Sequence, residues 1–110
     1  MFIFYGGDAT HLSPEAQQAQ MEKWFAWVDK LTQEKRYVGG EALLPTGKKI
    51  SGPKKVITDG PFTESKEVVG GYFVVLAKNL DEAIEIAKDC PDYNLEGTVE
   101  VREVVKFDNM

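Results

Sequence analysis

Apolar positions along the 110-residue chain fall into short patterns of different period, separated by glycine and proline. Phe2-Ile3-Phe4-Tyr5 is an aromatic and β-branched run stopped by Gly6-Gly7, and it predicts a strand. Ser13-Pro14-Glu15 then opens a helix: Ser13 can cap, Pro14 suits the first turn, and Glu15 suits the positive end of the dipole. Met21, Phe25, Val28 and Leu31 recur at three- and four-residue steps with Trp24 flanking, which carries the helix to about Arg36. Tyr37 to Leu44 restarts extended structure with a bend or bulge at Gly39-Gly40. Lys48 to Ser51 and Lys55 to Thr58 read as a hairpin around Gly52-Pro53, and Asp59-Gly60-Pro61-Phe62 as a sharp turn. Gly71 to Ala77 carries the strongest strand pattern. Asn79-Leu80-Asp81-Glu82 has the spacing of a capping box before a second helix, striped by Leu80, Ala83, Ile84 and Ala87 and ended by Pro91. Thr98 to Phe107 completes the set, with Val99, Val101, Val105 and Phe107 on one face.

Strand, long helix, strand with a hairpin insertion, strand, helix, strand is the split βαβ order of a ferredoxin-like α+β sandwich in one domain spanning residues 1–110. Two of the strands do not alternate. Phe2 to Tyr5 and Tyr72 to Ala77 are apolar on both faces, whereas two helices cover one face of a sheet. The simplest cover for the other face is the sheet of an identical chain, so a homodimer is expected.

Composition narrows the classes. Hydrophobic residues are 43% of the chain, enough for a core, and the net charge of −5 argues against nucleic acid and anionic membrane as partners. No apolar run approaches the ~20 residues of a membrane span. One cysteine, Cys90, and one histidine, His11, leave no internal disulfide and no Cys/His metal cluster, so a reduced, cytoplasmic setting without a metal or other cofactor is expected. No phosphate loop, dinucleotide fingerprint or nucleophile elbow is present.

Asp59-Gly60-Pro61-Phe62 resembles the motif of the DGPF branch of the YCII-related domain family. Thr63-Glu64-Ser65-Lys66-Glu67, Gly70-Gly71-Tyr72-Phe73, Leu80-Asp81-Glu82-Ala83, Cys90-Pro91 and Gly97-Thr98-Val99-Glu100-Val101-Arg102 follow in the family's order, and Tyr5-Gly6-Gly7-Asp8 and Gly40-Glu41 also fit. The resemblance implies a dimeric α+β barrel and little about activity. Some DGPF-type members are encoded near alternative sigma factors. One branch of the wider family includes a dehydrochlorinase with a proposed His–Asp pair, and the matching positions here are Trp24 and Cys90, so that activity does not carry over. Glu103 stands where the branch usually has proline; by alternation it shares a face with Val101 and Val105, which calls for a bulge or a partner.

Asp59 is the leading candidate for chemistry. A carboxylate on a rigid turn at a strand end can act as a base or hold a cation, although turn aspartates commonly cap their own backbone. Arg102 would need an acceptor if both faces of its strand are covered; Glu100 is on its face and Asp59 is a possible neighbour. Phe62, Tyr5, Trp24 and Tyr72 are the candidate ligand-binding walls, as are Trp27 and Phe73, with core packing as the plainer role for each. Glu64, Lys66 and Glu67 read as a solvated face, His11 as a surface residue, and Cys90 as a small buried one. Lys48, Lys49, Lys54 and Lys55 make a local basic hairpin.

Three functions fit. The first is a homodimeric small-molecule-binding or regulatory protein with its pocket near Asp59, Phe62 and Arg102. The second is a cofactor-free lyase or isomerase acting on a small aromatic or polar compound with Asp59 as base. The third is a protein-interaction module using the basic hairpin.

Overall fold

The structure, a computed structural model, describes residues 1–7, 11–44, 46–60 and 68–106. Strands β1 (Phe2–Tyr5), β2 (Tyr37–Ala42), β5 (Val69–Val75) and β6 (Thr98–Val101) form one antiparallel sheet in the order β2-β5-β1-β6. Helix α1 (Pro14–Gln33) joins β1 to β2, and α2 (Leu80–Ala87) joins β5 to β6. The first and third strands of this sheet lie at its centre and the second and fourth at its edges, which is the ferredoxin-like arrangement expected from the order of elements. The ladder between β2 and β5 slips between Tyr37 and Gly39, so the expected bulge is present next to Gly39-Gly40.

Phe2, Phe4 and Phe73 leave the sheet on one side and meet Trp27 and Leu31 of α1 and Ile86 and Ala87 of α2, with Cys90 sealing the end of α2. Both helices therefore cover the same face. Phe2 stacks on Trp27 with ring centroids 6.2 Å apart, and Phe4 meets Phe73 edge-on at 5.0 Å. The indole N–H of Trp27 is the one buried side-chain polar atom without a partner among the described residues.

The helix ends follow local chemistry. Ser13 accepts a bond from Ala16 N–H at 3.1 Å, with Pro14 at the first helical position. At the other end Lys35 takes a left-handed conformation (φ 60°), while Arg36 N–H reaches Leu31 O at 2.9 Å and Lys35 N–H reaches Thr32 O at 3.0 Å. This is a Schellman closure with lysine where glycine is usual, and it ends α1 three residues before the expected Arg36. Asn79 caps α2 by accepting from Glu82 N–H at 2.8 Å. The reciprocal bond of a capping box is displaced: the Glu82 carboxylate accepts from Lys78 N–H at 3.2 Å and from Arg36 at 2.9 Å, which ties the start of β2 to the start of α2.

Two expectations are corrected. The buried stripe of α1 is Gln20, Trp27 and Leu31 with Trp24 and Val28 half-buried, whereas Met21 (58% exposed) and Phe25 (65% exposed) face outward. The final strand stops at Val101, not Phe107, because β1 begins at Phe2 and offers no partner beyond the bonds between Met1 and Arg102. Glu103 thus lies past the strand and is exposed, and neither a bulge nor a buried partner is required; Phe107 falls outside the described residues.

Strands β3 (Lys48–Ser51) and β4 (Val56–Asp59) form the separate hairpin that Gly52-Pro53 predicts. Its turn is closed by Lys55 N–H on Gly52 O at 3.1 Å, with positive φ at both residues. Every residue of both strands is exposed, including the facing pair Ile50 and Ile57.

Candidate functional site

Toward the end of the sheet where β1 runs out and β5 begins, the strands carry Gly6, Gly7, Gly70 and Gly71 in place of side chains. Gly71 has no room for one: a Cβ there would lie 2.6 Å from Glu41 O of the neighbouring strand. The N-terminal half of α1 passes over this end of the sheet, and the missing side chains leave a cleft of about 600 Å³ beneath it. Its walls are mainly apolar: Phe4 from β1, Met21, Trp24 and Phe25 from α1, and Ala42 from β2. The polar side chains are few: Gln17, Gln20 and Asp92; Glu41 borders the cleft from β2 but pairs with Tyr72, whose side chain takes the other face of the sheet. A volume of this size with convergent polar groups suits a small organic ligand.

Asp92 is the best-held of these groups. It lies in a 3-10 turn, Pro91–Leu95, which follows α2. Its carboxylate Oδ1 accepts from Gln20 Nε2 at 2.9 Å and from Trp24 Nε1 at 2.9 Å. Gln20 Nε2 also donates to Pro91 O at 2.7 Å. Gln20 and Trp24 are one helical turn apart, so a single face of α1 presents both donors. The turn itself closes through Gly97 N–H on Asp92 O at 2.9 Å, with Glu96 left-handed (φ 59°). From the other side comes Gly7, at φ +66°, where a Cβ would stand 2.5 Å from Asp92 Oδ2. Any side chain at position 7 would be strained by its backbone and would press on the carboxylate. Oδ2 accepts no hydrogen bond from any described residue, and both donors on Oδ1 are neutral.

Two residues before Asp92, Cys90 is buried at 6% exposure, and burial pushes its thiol up to about 11. It is a packing residue, as its sequence context suggests. Tyr93 donates its hydroxyl to Ala87 O at 2.8 Å, and burial raises its pKa.

Of the nominated residues, Trp24 lines the cleft. Asp59 does not: it ends β4 on the separate hairpin, its side chain is 79% exposed, and its oxygen lies 3.5 Å from Lys48 Nζ. Arg102 lies just past β6 with its side chain 70% exposed, 3.9 Å from Glu100, so the expectation of a covered guanidinium is not met within one chain. Tyr5 and Tyr72 alternate with the buried Phe4 and Phe73 and therefore occupy the face of the sheet away from the helices. Phe62 lies outside the described residues, together with Glu64, Lys66 and Glu67. His11 is exposed. Trp27 and Phe73 belong to the core.

Asp92 and Gln20 were not anticipated from sequence. The available signal was Gln20 itself, a polar residue in helical phase with Trp24, Trp27 and Leu31. A buried amide on such a stripe requires partners, and the turn after Pro91 supplies them.

Among the described residues no group of three or more His, Cys, Asp or Glu could hold a metal ion, and no helix is long and apolar enough to cross a membrane. The sequence pattern of the YCII-related domain matches residues 1–108, and the chain belongs to that family. It is also similar to an uncharacterised protein of Rhizobium meliloti (strain 1021), with 28% identity over 85 residues that cover 67% of this chain and 68% of the relative.

Proposed function

We propose that this YCII-related protein is a cytoplasmic homodimer, of the DGPF branch by its Asp59-Gly60-Pro61-Phe62 motif, that binds a small molecule without a resident cofactor. The cleft between α1 and the glycine-lined end of the sheet is the binding site. The observation that carries this reading is Asp92: a carboxylate fixed by Gln20 and Trp24 in an apolar cleft, with one oxygen left for a ligand. A group oriented by folding contributes specificity without further ordering on binding. This moves the site from the neighbourhood of Asp59 and Arg102 to that of Asp92, and it keeps Trp24.

The homodimer rests on the opposite face of the sheet. Ile3, Tyr5, Tyr72 and Val74 share that face by register, and no described element is layered over them. The shortest dimension of the molecule is 19 Å, about two layers of secondary structure. Burying each of these side chains fully would contribute up to ~1.5–3 kcal/mol, enough together to hold two copies.

Thermal-shift screening of small organic compounds on the full chain and on Phe25→Ala tests the binding site. Hits should weaken in the variant, and hits indifferent to Phe25 would place binding elsewhere. Sedimentation tests the assembly: a 12.3 kDa particle at all loadings would remove the dimer.

A further inference from the structure

Resting on that reading of the cleft, we infer that its ligand is an organic cation: an ammonium group carried on an aromatic or similarly flat apolar body. Three observations converge on this chemistry. The described residues that line the cleft include the carboxylate of Asp92 and no lysine, arginine or histidine, while Glu41 pairs with Tyr72 and so turns its side chain to the opposite face of the sheet. The two groups bonded to Asp92 are an amide and an indole, so they orient its charge without neutralising it. A ligand that brings the counter-charge can donate a charge-assisted hydrogen bond to Oδ2, which none of the described donors occupies.

The third observation is aromatic geometry. Phe4 and Trp24 stand nearly perpendicular, at 84° with centroids 4.9 Å apart, and Phe25 adds a further ring at the mouth, 65% exposed. Rings set at an angle around a carboxylate offer π faces to a cation and an apolar slot to the body that carries it. Gly6, Gly7, Gly70 and Gly71 border the cleft without side chains, and a volume near 600 Å³ accommodates a fused-ring amine. An anionic ligand would meet the like charge of Asp92 with no cation among the described lining residues to offset it.

The test uses three probes of one shape and different charge on the full chain: tryptamine (cation), tryptophol (neutral) and indole-acetate (anion), by calorimetry at neutral pH. Tryptamine should bind at least about tenfold more tightly than tryptophol, and indole-acetate more weakly than both. Asp92→Asn should reduce the preference for tryptamine while leaving tryptophol affinity within about twofold, and Glu41→Gln, on the opposite face of the sheet, should leave the preference unchanged. Equal binding of tryptamine and tryptophol by the wild-type protein would overturn the cation inference while leaving the binding cleft in place, as would a preference for indole-acetate. Failure of all three probes to bind a protein that melts cooperatively would count against the cleft as a site for ligands of this class. The wild-type comparison decides the matter even if Asp92→Asn does not fold.

Discussion

One helix crosses one sheet, yet the two ends of that crossing differ. Toward its C-terminus α1 sets Trp27 and Leu31 against Phe2 and Phe73, and the space is filled. Toward its N-terminus the same helix sets Trp24, Met21 and Phe25 over strand ends that carry glycine, and the space is open. The difference lies in the strands: aromatic residues at 2, 4 and 73 become glycines at 6, 7, 70 and 71 within a few positions. A closed core and an open cleft are thus adjacent parts of one packing interface, and the closed part can hold the open part in shape.

The sharpest way to separate the two ends is truncation on the same helix. Trp27→Ala should cost about 3–5 kcal/mol in urea unfolding, whereas Phe25→Ala should change stability by no more than about 0.5 kcal/mol while weakening ligand binding. If both cost the same, the open end is not open in solution. Asp92→Ala comes next. It strands the Gln20 and Trp24 donors and should cost about 1–3 kcal/mol, with Asp92→Asn retaining much of the difference because an amide oxygen can still accept.

Cys90, at the closed end, gives a pH test. Its thiol ionises near 11 in the folded state, above the unfolded value, so the folded chain retains its proton where the unfolded chain loses it. This contribution is fully present below about pH 8.5 and declines as pH rises from there toward 11. Denaturation at stepped pH should show that decline in the native protein and not in Cys90→Ala. The smallest effect belongs to Lys35. Lys35→Gly at φ 60° should stabilise the protein by about 0.5–1 kcal/mol in thermal unfolding, without altering either end of the interface.

The fold was legible because its signals are local and redundant. Ser13-Pro14, Asn79 with Glu82, and the unalternating runs at Phe2 and Tyr72 each mark an element, and their order matches the split βαβ pattern whose strand order the structure has. The inward face of α1 was less legible. Met21 and Phe25 satisfy a helical period as well as Gln20, Trp24 and Trp27 do, and hydrophobicity alone favours the former set. What turns the helix is polar: Gln20 bonds Pro91 and Asp92, residues distant in sequence that only the folded chain brings near. Asp59 was conspicuous because of its turn, yet that turn belongs to a hairpin in a separate sheet. Asp92, in a segment with no motif, is placed by α2 and Gly97 beside the cleft.

The amide of Gln20 serves two acceptors from one nitrogen, a main-chain carbonyl and the Asp92 carboxylate. With that nitrogen so engaged, the helix and the turn after Pro91 are latched together before any guest arrives. The receptor should then behave as a rigid socket: occupancy would leave amide-exchange rates around Pro91 to Leu95 nearly unchanged, and any slowing would concentrate at the rim beside Met21 and Phe25.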